Sequence, residues 1–207
     1  MPTDFTKFGV PMPGGVRNGM LQPKLSYRFR VIFKDFADGQ FTRELTQQVV
    51  SADKPSVKYN AVPIHAYNSY ANVIGKHTWS PVKLTVRDDI TNAVQSAVGR
   101  QMQRQINFHE QTSAVSAGSV KFSMEIHYLD GTNGDELAAF ELDGCFLSDA
   151  KFSQSDYKSD DPCTIELEIT YDNALLLRGP GGDGITVGAD PFPNIPSPTG
   201  STGVSDR

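Results

Sequence analysis

Little in this sequence announces chemistry or a destination. Its 207 residues hold only two cysteines, Cys145 and Cys163, too few for the disulfide framework that staples small secreted domains. Both are expected to be small buried thiols, the usual fate of free cysteine. No apolar run approaches the roughly 18 residues that cross a bilayer. Residues 1–20 lack the basic-then-apolar pattern of a signal peptide, so a soluble chain not exported by the standard route is expected. A strong excess of either charge is also missing: the net charge is −5, and charged residues make up 21% of the chain. A dedicated nucleic-acid binder needs clustered cations to displace counterions from phosphate, and a disordered chain needs more charge for its apolar content. The hydrophobic share of 38% allows the middle of the chain to bury a core.

Catalytic and metal-binding groups are equally sparse. The four histidines, His65, His77, His109 and His127, stand at no metal-ligand spacing, and no Cys-x-x-Cys or His-x-x-x-His occurs. Surface or hydrogen-bonded roles are expected for all four. Ser148 and Lys151 fit a Ser-x-x-Lys pattern without the Ser-Asp-Asn and Lys-Thr-Gly companions of a serine acyltransferase. The glycines from Gly179 to Gly184 have no strand–helix context and no Gly-Lys-Ser/Thr ending, so they do not read as a phosphate cradle. The carboxylates between Asp130 and Glu136 miss the ligand order of a calcium loop. Asp130-Gly131-Thr132-Asn133-Gly134 reads as a hairpin turn, and Asp156 to Asp161 as an acidic solvated loop. No enzyme activity, metal or cofactor is expected.

What the sequence does contain is period two. Leu25, Tyr27, Phe29, Val31 and Phe33 alternate with Ser26, Arg28, Arg30 and Ile32. The same holds for Val82, Leu84 and Val86, for Val120 through Tyr128, and for Ile165 through Tyr171. Each run gives a strand one apolar and one polar face. Shorter strands are expected at Glu44–Ala52, Ser56–Pro63, Tyr70–Trp79 and Ala138–Leu147. One segment breaks the pattern: Ile90, Val94, Val98, Met102 and Ile106 recur every fourth residue, with Ala93 and Ala97 beside them. Asp88 and Asp89 sit where a helix N-terminus favours carboxylates. This predicts one amphipathic helix over about 88–111 lying on the sheet. Residues 1–22 read as an extended arm, 23–178 as one β domain, and 179–207 as a Gly/Pro-rich tail unable to offset its own ordering entropy. The expected fold class is mainly β: an antiparallel β-sandwich or partly open barrel with one peripheral amphipathic helix. Long strands with open edges are a liability in a monomer, which puts function in the strands and their edges.

The order of several stretches carries a further likeness. Leu21–Phe29 opens the first strand after the arm, Ser51–Pro55 leads a strand into the loop before a hairpin, and Val82–Asp89 runs a strand into the helix. Leu142–Ser148 followed by Thr164–Asp172 makes a closing pair. In this order, over roughly residues 20–175, the chain resembles the tail tube proteins of contractile-tailed bacteriophages, a family shared with phage-derived bacteriocin and type VI secretion tubes. The resemblance implies a structural subunit of homohexameric rings, stacked into a tube around a lumen through which DNA passes during ejection. It implies as partners further copies of the chain, a tail sheath, a baseplate and a tape-measure protein. It further implies passage of DNA without sequence-specific binding, no membrane segment, and a place in the virion tail after synthesis in the bacterial host cytoplasm.

Residue roles follow from that frame. Glu125, Glu141, Asp143, Glu166 and Glu168 are candidates for the wall of the bore, where shared negative charge would keep DNA from sticking. A solvated outer face, or cross-strand pairing with Arg28 and Arg30, is the alternative for these carboxylates. Tyr59, His65, Tyr67, Tyr70 and Lys76 are candidates for contact with the next ring, since aromatic side chains give large area at low entropy cost. A loop folded back on its own sheet is the alternative there. Arg28, Phe29, Arg30, Lys121, Ser123 and Ile169 are candidates for the strands that join subunits. The tail beyond Leu177 is longer than a minimal tube subunit needs. Three other readings compete: the tube of a bacteriocin or secretion machine, a baseplate or tube-cap protein, and a small β-barrel ligand carrier with a closed apolar cavity.

Overall fold

The computed structural model describes residues 23–39, 42–130, 136–158 and 160–176. The expected arm, the tail and all but the first residue of the Asp130–Gly134 turn lie outside the described residues. In chain order the strands are β1 (Phe29–Lys34), β2 (Val49–Ala52), β3 (Ser56–Ala66), β4 (Ser69–Ser80), β5 (Val82–Arg87), β6 (Ile106–Asn107), β7 (Thr112–Ser113), β8 (Phe122–Leu129), β9 (Glu136–Phe152), β10 (Thr164–Thr170) and β11 (Asn173–Leu176). The α-helices are α1 (Thr42–Gln47) and α2 (Ala93–Gln105). Seven strands make one sheet in the order β1-β8-β9-β10-β5-β2, with β11 continuing beyond β10 beside β9. Every pairing in it is antiparallel. The sheet curls until β1 and β2, its two end strands, approach each other. The result is a mainly β fold, a partly open barrel without closure.

Alternation explains the curl. Val31 and Phe33 of β1, Val82, Leu84 and Val86 of β5, Phe122, Met124 and Ile126 of β8, and Ile165, Leu167 and Ile169 of β10 are all buried on one side. At about 1.5–3 kcal/mol for each fully buried side chain of this size, that single face dominates the stability of the domain. Phe36 wedges beneath it, its ring 4.9 Å from Phe122 and 5.4 Å from Phe33. Leu45 from α1 and Val94, Ala97 and Val98 from α2 close the core.

Several boundaries differ from the sequence expectation, each for a local reason. The first strand starts at Phe29 rather than Leu25, because a turn at Ser26 and Tyr27 bonds Arg28 N–H back to the Leu25 carbonyl at 3.2 Å. Glu44–Ala52 is not one strand: Thr42–Gln47 is helical and anchored by Leu45, which is fully buried, and only Val49–Ala52 pairs with β5. Helix α2 is shorter than 88–111 at both ends. Asn92 adopts a left-handed φ of 57°, and the outer members of the expected stripe, Ile90 and Ile106, are exposed. Asp89 still caps the helix, its carboxylate accepting the Val94 N–H at 3.1 Å. Hydrogen bonds from the Thr91 hydroxyl and the Val94 N–H hold that carboxylate below its usual range. The expected strand Ala138–Leu147 is the middle of the 17-residue β9, which bends at Gly144. There φ is +68°, and a Cβ would stand 2.3 Å from the Asp172 carboxylate, so only glycine fits.

Candidate assembly surfaces

Among the described residues, strands β3 and β4 pair only with each other, from Ser56↔Ser80 to Ala66↔Ser69. They form a ribbon about 36 Å long at ~3.3 Å per residue. Every residue of β3 is exposed, and so is every residue of β4 except Gly75 and Trp79. One face carries a row of rings: Tyr59 lies 6.2 Å from His77, His77 5.7 Å from Trp79, and Trp79 5.6 Å from Tyr171 of the body. That last contact roots the ribbon in the domain. Further out, His65 and Tyr70 stack at 5.9 Å. The register places Tyr59, His65 and Tyr70 on this face. Tyr67 stands at the tip, fully exposed, with a left-handed φ of 42°. Lys76 lies beside the irregularity between Tyr59 and Ala61, where a Cβ on Gly75 would press within 2.9 Å of the Asn60 carbonyl. The five residues expected to meet the next ring thus share one projecting element, and they do not fold back onto their own sheet.

The face of the main sheet that points away from the core gathers the carboxylates. Register sets Glu125 opposite Glu141, and Glu166 and Glu168 opposite Lys151 and Asp149 on one side and Thr85 and Lys83 on the other. Asp143 accepts a hydrogen bond from the Ser123 hydroxyl at 3.2 Å. All five bore candidates therefore share one face. It is not purely acidic. Lys34 sits 2.5 Å from Glu125 and 3.9 Å from Glu141, and His127 Nε2 lies 3.0 Å from the other Glu125 oxygen. Burial pushes the Glu125 carboxyl up, but the hydrogen bonds from Lys34 and His127 prevail and leave it below the ordinary value of 4.5. Lys34 thus pairs with two of these acids, while the Arg28 guanidinium donates to the Asp130 carbonyl. Lys83, Lys151, Asp149 and Asp53 join Glu166 and Glu168 around a groove of about 340 Å³. Of this set, the sequence offers only the two glutamates as candidates for the bore. Lys83 is a polar member of the alternating run Val82–Val86, whereas Lys151 falls beyond the expected strand Ala138–Leu147.

The candidates for joining subunits divide. Phe29 and Arg30 lie on β1, which among the described residues pairs with β8 on one side only, and Arg28 immediately precedes it. Ser123 and Ile169 are interior: Ser123 stands on β8 between β1 and β9, and Ile169 pairs with Leu147 and Val82 inside its own sheet. Their strands have neighbours on both sides and offer no edge. Lys121 precedes β8 and is tied to Asp172 at 2.5 Å. The open side of β1 borders an apolar seam of about 570 Å³ between the two ends of the sheet, lined by Tyr27, Phe29, Val49, Val50, Ala52 and Tyr128 among others. A second edge, along the later part of β9, is partly covered. The Gln105 side chain accepts the Leu147 N–H at 2.9 Å and donates to its carbonyl at 3.0 Å, filling one ladder position.

Chemistry is thin elsewhere. Among the described residues no three His, Cys, Asp or Glu side chains form a metal-binding group, and no helix is long and apolar enough to cross a membrane. Both cysteines are free thiols. Cys145 is buried as expected, its thiol pushed up to about 12 by burial and the Asp143 charge. Cys163 is exposed, because the loop before β10 leaves it outside the core. The space enclosed by the sheet is occupied by side chains such as Met124, Ile126, Leu142 and Leu167, the opposite of the open cavity a ligand carrier needs.

No family model matches the chain, and no curated protein does. Among solved structures the fold is similar to the tube-terminating cap of the anti-feeding prophage, at 10% identity and a TM-score of 0.59. That match covers 78% of this chain and 95% of the cap chain. A chain of the sheath/tube terminator of the PVC extracellular contractile injection system matches at 14% identity and a TM-score of 0.55, over 76% of this chain and 99% of that one. A chain of the PVC sheath–tube complex matches at 12% and 0.54, over 76% and 93%. The chain has the tube-family fold of contractile injection systems.

Proposed function

We propose that this chain is a ring-forming subunit of the tail tube of a contractile phage-like particle, six copies to a ring and rings stacked into a hollow tube. The observation that carries the reading is a folded body, similar over most of its length to chains of tube, terminator and cap assemblies, that leaves the outer side of β1 and one long ribbon without strand partners among the described residues. The open side of β1 and its apolar seam supply a joint within the ring. Closing a ring removes the edges that a monomer exposes, and a head-to-tail contact between unlike edges is what a cyclic ring requires. The ribbon reaches the next ring. The non-core face of the sheet, with Glu125, Glu141, Asp143, Glu166 and Glu168, lines the bore. A net negative wall lets DNA pass during ejection without holding it. The sheath, baseplate and tape-measure protein are the partners this role calls for, in a virion assembled from protein made in the host cytoplasm.

Negative-stain microscopy of the purified chain, preceded by sizing, tests this. Rings or hollow filaments are expected; a monodisperse monomer at high concentration sinks the reading. A second reading, a tube-terminating cap, is favoured by the likeness to the anti-feeding prophage cap. It separates in the same experiment, since a cap forms rings that do not grow into filaments at any concentration.

A further inference from the structure

The later part of β9 leaves a sheet edge that the fold does not close. β8 leaves this strand at Cys145, β10 pairs along its other side, and among the described residues no strand takes the place of β8. The Ser153 N–H bonds the Thr164 carbonyl at 2.9 Å. Alternation in an antiparallel pair then turns the backbone groups of Ala150 and Phe152 away from β10, toward the open side. The position before them, at Leu147, is already taken by the Gln105 amide. Two ladder positions are thus open. A groove of about 250 Å³ runs beside them, walled by Met102, Ile106, Phe108, Leu147 and Ala150 among others. Phe152 is 50% exposed and Ile106 and Phe108 are each 47% exposed, so the surroundings are apolar and uncovered. An open edge beside an apolar groove suits an added strand, whose backbone supplies affinity while alternate side chains fill the groove.

The sequence beyond the body contains one segment of matching size. The described chain stops at Leu176, and residues 177–207 follow. Within them the run of three β-branched residues is Ile185-Thr186-Val187, set between Gly184 and Gly188. Such residues favour extended backbone on a pleated, half-buried surface, and the rest of the tail is too rich in Gly and Pro to share that preference. Three residues fit two ladder positions: Ile185 opposite Phe152 and Val187 opposite Ala150, with Thr186 between them opposite Lys151. Ile185 and Val187 then face the groove, and Thr186 joins the polar side of the sheet. The same copy cannot supply the strand. β11 runs from Asn173, opposite Asp143, to Leu176, opposite Phe140, away from Phe152 and on the other flank of β9. Phe140 and Phe152 lie about 40 Å apart along the strand at ~3.3 Å per residue. The chain from Leu176 to Ile185 reaches only about 32 Å fully extended, and it must also cross to the opposite flank.

We infer that Ile185–Val187 of one copy adds as an antiparallel strand to the later part of β9 of another copy. This goes beyond the ring reading. It makes the tail, longer than a minimal tube subunit needs, a strand donor that ties copies together, and Gln105 sets where the acceptor edge ends.

Cross-linking tests it. In this pairing Thr186 and Lys151 form a non-hydrogen-bonded pair with Cα atoms about 4.5 Å apart, within the range of a disulfide. In a Cys163→Ser background, chains carrying Lys151→Cys are mixed with chains carrying Thr186→Cys and oxidised; Cys145 remains, buried in the core. A covalent dimer is expected from the mixture, in clear excess over either chain alone. Adding Val187→Pro to the second chain is expected to abolish it, since proline cannot donate to the ladder. Absence of the mixed dimer, under conditions where the parent forms rings, overturns the inference and leaves the ring reading standing. A mixed dimer from a parent that forms no rings does the reverse. A chain carrying both Lys151→Cys and Thr186→Cys that closes the disulfide within itself at high dilution overturns the assignment to another copy. Undiminished cross-linking with Val187→Pro overturns the strand pairing.

Discussion

Gln101 shows how one side chain can hold a fold that its residue type disguises. It is fully buried in α2. Its amide accepts the Ala37 N–H at 3.1 Å and donates to the Val120 carbonyl at 2.8 Å, fastening the turn after β1 and the entry to β8 to one helix. Ala37 needs that support, because its φ of 49° lies where an alanine is strained. Gln101→Leu is nearly isosteric but leaves two backbone groups without partners. It is expected to cost ~2–4 kcal/mol, read as a lower urea midpoint with an unchanged m value. The Lys34–Glu125 pair gives a prediction in pH. The hydrogen bond to Glu125 outweighs burial and holds Lys34 above its ordinary 10.5, while Glu125 lies below its ordinary 4.5. A lowered carboxylate stabilises the fold above 4.5, and this is lost as pH falls through its folded value. A raised lysine stabilises it below 10.5, and this is lost as pH rises through its folded value. Glu125→Gln should therefore lower the urea midpoint near neutral pH and converge with the parent in acid. A deficit that stays constant down to strongly acidic pH would rule out the pair as its source.

Elements differ in how plainly the sequence declared them, and burial is the reason. β1, β5, β8 and β10 bury one face each, so their alternation of apolar and polar residues was legible and correctly placed their cores. The ribbon buries neither face within the subunit, yet the expected strands Ser56–Pro63 and Tyr70–Trp79 fall inside β3 and β4 and stop short only at the tip, where pairing runs on to Ala66↔Ser69. α1 was invisible because one residue, Leu45, anchors it. β9 runs past the expected end at Leu147 because the irregularity at Ser148, between the Asp149 and Leu147 pairings, shifts its period there. The same logic sorts the edges, which a single sequence does not display at all. Ile169 pairs on both sides within its own subunit, so Ile169→Pro is expected to lower the thermal midpoint of the monomer itself. Phe29 differs: the Arg28 carbonyl accepts the Leu129 N–H at 2.9 Å, and alternation in an antiparallel pair then turns the Phe29 N–H toward the open edge. Phe29→Pro should leave the monomer's melting curve near that of the parent and prevent rings from forming. Rings assembled normally by Phe29→Pro would show that β1 is not the joint.

At the scale of the whole molecule, the curled sheet separates two jobs that a flat one would mix. Its inner side is spent on the core, leaving the outer side free to be a wall, and the charges on that wall decide what a tube can carry. Glu166 and Glu168 stand between Lys151 and Asp149 on β9 and Thr85 and Lys83 on β5. Replacing both by lysine would join the neighbouring cations into a continuous basic row on every subunit. If this face lines the bore, tubes of Glu166→Lys/Glu168→Lys should retain linear DNA at low salt and release it as salt rises, as phosphate contacts do. Parent tubes should retain none. Topology makes the result specific to the bore, because a closed circle cannot thread a preformed tube. Retention of linear but not circular DNA is therefore the expected outcome. Equal binding of both forms would put this face on the outside of the tube, and with it the five carboxylates now assigned to the bore.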